Sequence, residues 1–436
     1  MKDAKEKIIL FFASLLYFYC AYYLKRNDFG ILISCYTLLF TAYIYVIKSQ
    51  TIRFKEIIAF AIFFRLIFLF SIPSLSDDFY RFIWDGRMIL DEINPYLILP
   101  SEFIQTTSDK DFHFLFENMN SQSYFTIYPP VNQLFFGLAS FIGNGNIYFE
   151  IIVLRSFIIL AEIGTIIMLP KLLEQFNLNK NLSLLYLLNP LIIIELTGNL
   201  HFEGVMIFFL ITAIYFLIKN KLLLSSLFWT LAIGTKLIPL IFLPVLIKMI
   251  GVKKSLYHYT FTILGCILLF LPFLSNELIS NFFSSIDLYF QSFEFNASIY
   301  FLVREIGYWI KGWNTIQFIG PVMAIVTFLG IISILFFYKK NSDKSFLTAC
   351  FFAFMLYLLM ATTVHPWYLS TLLFFAVFTR YQWIAIAWSF LVVLSYRAYS
   401  EEEYSQNLIL VSVEYILLFT VMIWVLYKEK QTIRQY

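Results

Sequence analysis

Apolar runs long enough to cross a bilayer alternate along this chain with short polar clusters. Residues 8–24, 29–47, 57–73, 147–170, 181–197, 204–218, 255–274, 315–338, 346–363, 382–397 and 407–427 each read as a continuous apolar helix. A span needs about 20 such residues. The runs do not alternate at every second position, which excludes a membrane β-barrel. Two stretches depart from the rule. Residues 222–250 hold two shorter runs broken at Gly234-Thr235-Lys236, and 366–379 is a short run opened by a proline. The expectation is an all-α polytopic transmembrane protein of about 12 to 14 spans. Residues 131–143 are too short to span, so they are expected to lie at the interface behind Pro130, a residue suited to a first helical turn.

Composition agrees with this class. The chain has 436 residues, 60% hydrophobic and 14% charged, with 52 Phe and a net charge of +3. A soluble domain carries about 25% charged residues. The near-neutral balance shows no basic stripe, so no nucleic-acid partner is expected. Cys20, Cys35, Cys266 and Cys350 lie inside apolar runs without metal-ligand spacing and read as buried thiols. The first span has no small-residue cleavage site after it and is expected to remain as an anchor.

Lysines and arginines beside the spans set orientation. With Lys2, Lys5 and Lys7 in the cytoplasm, the basic segments around Lys48, Lys171, Lys219, Lys248, Lys339, Lys344, Arg380 and Lys428 also fall inside. Only Lys25-Arg26 offends. The opposite face then collects the unusual residues: loop 74–146, TGNLHFEG at 197–204, GTK at 234–236, loop 275–313 and VHPW at 364–367.

Each cluster has a plain structural reading beside a chemical one. In Asp77-Asp78-Phe79-Tyr80-Arg81, Ser76 or Asp77 suits a helix cap, and Asp77 and Arg81 have ion-pair spacing. The same helix places Asp78, Arg81 and Asp85 on one face, with Phe79, Phe82 and Ile83 toward the membrane, as an amphipathic interfacial helix would. A carboxylate where a span meets water can also deprotonate a hydroxyl. Two adjacent acids can share a divalent ion such as Mg or Mn between Asp77 and Asp78. Lys236 interrupts an apolar run, where a cation is costly; it either snorkels to the surface or binds an anion, phosphate first. His201 with Glu203 reads as a polar pair lining a cavity. Arg304 and His365 sit in the other outer segments, and Asn94-Pro95-Tyr96 and Tyr128-Pro129-Pro130 are turns by default.

Taken together, SDDFYRFIWDGRMILDEINPY followed by YPP, then NPLIIIELTGNLHFEG, GTKLIPLIFLP, FNASIYFLVREIG and HPWYL, resemble the GT-C glycosyltransferases. The similarity is to the bacterial polyprenol-phosphate-mannose-dependent mannosyltransferases and, more distantly, the GPI mannosyltransferases. It runs from about residue 57 to 380 and keeps the family's order. It implies a GT-C catalytic core at 57–380 with outer loop 74–146, additional transmembrane helices at 1–56, and C-terminal helices with a cytoplasmic tail at 381–436. It implies a multi-pass protein of the cytoplasmic membrane that moves a sugar, mannose first, with inversion, from a polyprenyl-phosphate carrier to a glycan, glycolipid or protein acceptor outside the cytoplasm. Asp78 is the expected base, with Asp77 beside it. Lys236, His365, Arg81 and Arg304 are expected on the donor phosphate, and Asp85, Arg87, Tyr128, His201 and Glu203 in the pocket. The rival reading is a transporter or flippase of lipid-linked sugars, which broken helices and intramembrane charge also suit.

Overall fold

The computed structural model describes residues 2–340, 342, 344–400 and 404–434. Among these the chain is helical, and an isolated bridge between Phe295 and Thr363 is the β pairing present. Phe29–Ser49, Ile147–Gln175, Val252–Phe273, Ile316–Phe337 and Leu408–Gln431 are long and apolar enough to cross a membrane. A sixth span results if the bent pair Lys180–Leu187 and Ile192–Gly198 is counted as one. This is fewer than the 12 to 14 expected. The difference lies partly in charge, since the 21-residue Lys2–Tyr22 helix opens with Lys2, Asp3, Lys5, Glu6 and Lys7, and partly in helices that stop short of a bilayer thickness. Residues 57–73 end as helix at Ile67, and 204–218 and 346–363 become the helices Glu203–Ile218 and Ser345–Met360. Such helices are tolerated at membrane depth where protein surrounds them, and both are mostly buried.

The breaks have local causes. After Asn189-Pro190 the helix resumes as a π-turn over Ile192–Gly198, which turns Glu195 and Asn199 inward. The Leu222–Thr235 helix stops at Lys236, which is extended, and Pro239 admits only a 3-10 turn over Ile238–Phe242. Pro366 likewise opens a 3-10 turn before Leu369–Ala376.

The long loop forms a helical cap. The helices Asp78–Leu90 and Pro130–Gly143 cross where Gly86 meets the other backbone; a Cβ on Gly86 would stand 2.4 Å from the Phe136 carbonyl oxygen. Phe79, Phe82 and Ile83 therefore face protein, not lipid, contrary to expectation. Phe82 stacks on Phe136 at 4.6 Å and meets Phe202 edge-on. An apolar face this wide is covered whenever a second helix can reach it, because burial contributes about 25 cal/mol per Å².

Several charges inside apolar runs serve the frame. Arg65 and Glu162 form a fully buried pair at 2.7 Å. Arg155 donates to the carbonyls of Leu69, Ser71, Thr197 and Gly198, tying three segments beneath the cap. Cys20, Cys35 and Cys350 are buried and Cys266 is half-buried, and all four are free thiols.

Candidate active site

A cavity of about 540 Å³ opens beneath the helical cap. Asp77, Asp78, Arg81, Tyr128, Lys236 and His365 line it. Residues as far apart in the chain as Asp77 and His365, 288 positions, therefore face one hollow. The chain ends contribute as well: Arg26 enters from the turn after the first helix, and Tyr399, Tyr404 and Gln406 from the segment before the last. The cavity thus draws on residues from 1–56 and 381–436 in addition to the expected core.

Asp77 occupies the N-cap position of the Asp78–Leu90 helix, yet its side chain caps nothing. Its Oδ2 is bound by Arg26 Nη1, and the Arg26 guanidinium lies 3.7 Å over the Tyr399 ring. Nor does Asp77 pair with Arg81, as the spacing suggested. Arg81 Nε turns to Asp85 Oδ1 at 2.7 Å, and its Nη1 donates to the Ser121 and Tyr124 carbonyls. Arg81 Nη2 is buried without a hydrogen-bond partner. Asp85 is fully buried and lies behind the cavity wall, accepting from Thr126 and from Gln133 Nε2. Arg81 and Asp85 therefore fasten loop 120–128 to the helix that carries the two acids.

Asp78 accepts a 3.1 Å hydrogen bond from Asn120 Nδ2. Burial against the cavity wall raises its pKa above the ordinary carboxylate value, while Asn120 and Lys236 pull it back. A carboxyl raised in this way is a stronger base once ionised. Asp77 is already neutralised by Arg26, and among the described residues no group of three or more His, Cys, Asp or Glu stands ready for an ion. A Mg or Mn ion at Asp77 and Asp78 would have to compete with the Arg26 guanidinium for Asp77.

Lys236 sits where two spaces meet. Its Nζ is 3.0 Å from Glu203 Oε1 and 5.3 Å from the centre of the Tyr128 ring. Glu203 is fully buried. Lys236 and Glu203 also line an apolar groove of about 390 Å³ walled by Ile238, Met323, Ala324, Phe328 and Ile331. Lys236, Ile127, Thr363 and Tyr368 belong to both walls, so the polar cavity and the groove adjoin at these residues.

The histidines differ from expectation. His365 reaches the cavity but is sandwiched between Trp367 and Phe295, at 4.4 and 4.7 Å. Burial, with Lys236 and Arg26 nearby, pushes its pKa down to about 3. It is neutral at physiological pH and brings no positive charge to a phosphate. Its Nδ1 is buried without a hydrogen-bond partner. His201 stacks on the other side of Trp367 at 3.7 Å, one layer behind the cavity lining. It supports Trp367 and does not line the pocket.

Two more expected residues stand apart. Arg87 binds Asp111 at 2.9 Å, Glu150 at 3.2 Å and the Gly145 carbonyl, joining the cap to the Ile147–Gln175 helix outside the cavity. Arg304 is committed to Glu294 at 2.6 Å and Glu305 at 2.9 Å, and it is Glu294 that lines the cavity. Missing from the sequence reading were Arg26, Asn120, Tyr399 and Glu294. Arg26 did leave a signal, as half of the one basic pair on the wrong side of the orientation scheme.

Comparison with known proteins gives two matches. The family model described as alpha-(1->6)-mannopyranosyltransferase, N-terminal domain (the MptA/B family) matches residues 23–252. That interval opens just before Arg26 and includes Asp77, Asp78, Glu203 and Lys236. A stretch of 110 residues is 39% identical to GPI mannosyltransferase 1 of Kluyveromyces lactis, covering 24% of this chain and 27% of that protein. The chain thus spans about a quarter of the length of the curated relative it matches.

Proposed function

The chain belongs to the MptA/B family of alpha-(1->6)-mannopyranosyltransferases, and from that premise we propose that it is a membrane mannosyltransferase working at the cavity beneath the cap. The observation that carries the proposal is that two spaces adjoin at Lys236. A carboxylate, Asp78, and a cation, Lys236, face one polar hollow, and an apolar groove adjoins it at Lys236. A polyprenyl-phosphate-mannose has the matching shape: an apolar tail, a phosphate and a sugar in that order.

The tail lies in the groove along Met323, Ala324 and Phe328. The phosphate stops at Lys236, and the mannose enters the cavity. The acceptor hydroxyl approaches from the cap side, opposite the phosphate, and Asp78 takes its proton as the oxygen attacks the anomeric carbon. The bond from that carbon to the phosphate oxygen breaks, its electron pair leaves with the lipid phosphate, and the centre inverts. The leaving group departs as an anion and needs positive charge more than a proton; removing one aligned group of that kind typically costs about 10²–10³ in rate. Lys236 supplies that charge, with the unpartnered Arg81 Nη2 and Arg26 Nε as further donors. Asp77 holds Arg26 in the wall. The cavity opens on the extracytoplasmic side in the orientation set by the lysines. A glycan or glycolipid hydroxyl is the acceptor.

The test uses purified protein in lipid with labelled polyprenyl-phosphate-mannose. Wild type forms a new mannosidic bond, and Asp78→Asn does not while still retaining the donor. Relocation of the lipid without a new bond would instead identify a flippase.

A further inference from the structure

A second pocket, of about 350 Å³, lies at the far end of the same helices. Two helices measure the separation. Gln406, just before the Leu408–Arg434 helix, lines the cavity, and Lys428 on that helix lines the second pocket. Twenty residues of helix rise about 30 Å, the thickness of a bilayer core. The shorter Ser345–Met360 helix orders the two spaces in the same way without reaching that length by itself, with Thr363 beyond one end at the cavity and Lys344 before the other at the pocket. The two spaces therefore open at opposite membrane faces.

Lys344, Arg380 and Lys428 converge in this pocket, with Glu429 the one acid among the described lining residues, 3.7 Å from Arg380. Two tryptophans complete it, Trp383 with Lys48 5.6 Å over its ring and Trp424 with Lys428 5.4 Å over its ring. Partial burial first, and the neighbouring Arg380 second, hold the Lys344 ammonium below the usual lysine value. Beside the pocket, Ile423, Leu426 and Tyr427 present exposed apolar surface along the same helix.

We propose that this pocket binds the phosphate of an anionic phospholipid from the leaflet opposite the sugar-transfer cavity. Among the described residues the lining carries three cationic side chains and one carboxylate, a composition that suits a phosphate ester. The tryptophans mark the depth at which lipid headgroups lie. The exposed apolar flank of the last helix gives the acyl chains a path that a free phosphate would not use. Basic pockets between helices on this side of a membrane are suited to such headgroups. The site is independent of the transfer chemistry, since none of its residues lines the cavity.

The experiment measures lipid retention on the full chain purified in detergent, using mass spectrometry of the intact protein with equal phosphatidylglycerol and phosphatidylcholine. Wild type should keep phosphatidylglycerol in preference, and Lys344→Gln and Arg380→Gln should each weaken the preference about fivefold. Lys344→Arg should retain it. Without any variant, the wild-type preference should also fall as ionic strength rises. Equal retention of the two lipids, a preference indifferent to salt, or one unchanged in the double Gln variant would overturn the proposal. Displacement of phosphatidylglycerol by millimolar inorganic phosphate would also overturn it, by identifying a soluble-anion site.

Discussion

Arg26 and Asp77, 51 positions apart, close on one another in the cavity wall, and the guanidinium is clamped from its other side by the Tyr399 ring. This triple contact joins the beginning, the cap and the end of the chain. It separates the two adjacent aspartates into different roles: Asp77 is occupied by a cation, and Asp78 is left with an amide partner.

The two acids should therefore respond differently to substitution. Asp78→Asn should reduce kcat by about 10²–10⁴-fold, the usual span for a general base, with little change in KM. Asp77→Asn and Arg26→Ala should resemble each other and fall less, because each removes the same pair. Steady-state kinetics on the three variants, with folded yield checked by gel filtration, decides the assignment. Equal loss in Asp77→Asn and Asp78→Asn would reject it.

The pH profile should carry the signature of Asp78. The base works only when ionised, so activity falls as pH drops through its pKa in the folded protein. Burial raises that pKa; the acid limb should accordingly sit above that of an ordinary aspartate at about 3.9. Asn120 lowers it, so Asn120→Ala should move the limb to still higher pH. A limb that stays in place in Asn120→Ala would show that another group titrates.

Lys236 and Glu203 allow charge balance to be separated from chemistry. Lys236→Met leaves a fully buried carboxylate without its cation, and breaking such a pair costs about 3–5 kcal/mol. The double variant Lys236→Met/Glu203→Gln removes both charges and should recover most of the thermal stability. It should not recover transfer, since the phosphate still lacks its cation. Full activity in the double variant would show that Lys236 serves folding alone.

The groove should discriminate by tail length. Ala324→Trp fills the channel beyond Lys236. KM should rise for a long polyprenyl donor and change little for an analogue with a very short tail. An equal rise for both would place the tail elsewhere.

Gly86 tests the cap. A Cβ there meets the Phe136 backbone oxygen at 2.4 Å and the Ser140 hydroxyl at 2.5 Å. A backbone cannot yield as a side chain can, so Gly86→Ala should force the two helices apart and cost about 1–3 kcal/mol, the usual range for overpacking. Thermal unfolding of the purified protein in detergent measures this.

Much of the architecture was written locally. A run of apolar residues is helical and membrane-seeking wherever it lies, so the segments and their breaks at 234–239 and 366 were legible from order alone, whereas 181–197 read as one helix and breaks at Asn189-Pro190. The same holds for Asp77, Asp78 and Lys236, whose charge is costly in such surroundings. Span number was less legible. A segment buried by its neighbours can stop short, as Ser345–Met360 does, and the apolar count does not reveal what surrounds it.

The roles of the charged and aromatic residues depended on who met whom across the chain. Arg87, Arg304 and Asp85 looked like site residues until Glu150, Glu294 and Gln133 were found to engage them. His201 fell one layer too deep because Trp367, 166 positions further on, stands in front of it. Arg26 entered the site through a partner and a ring that lie far along the chain. Apolar pattern is a property of neighbours in sequence and survives without a fold. Neutralising a charge or walling a cavity is a property of neighbours in space, and it exists only once the chain has closed on itself.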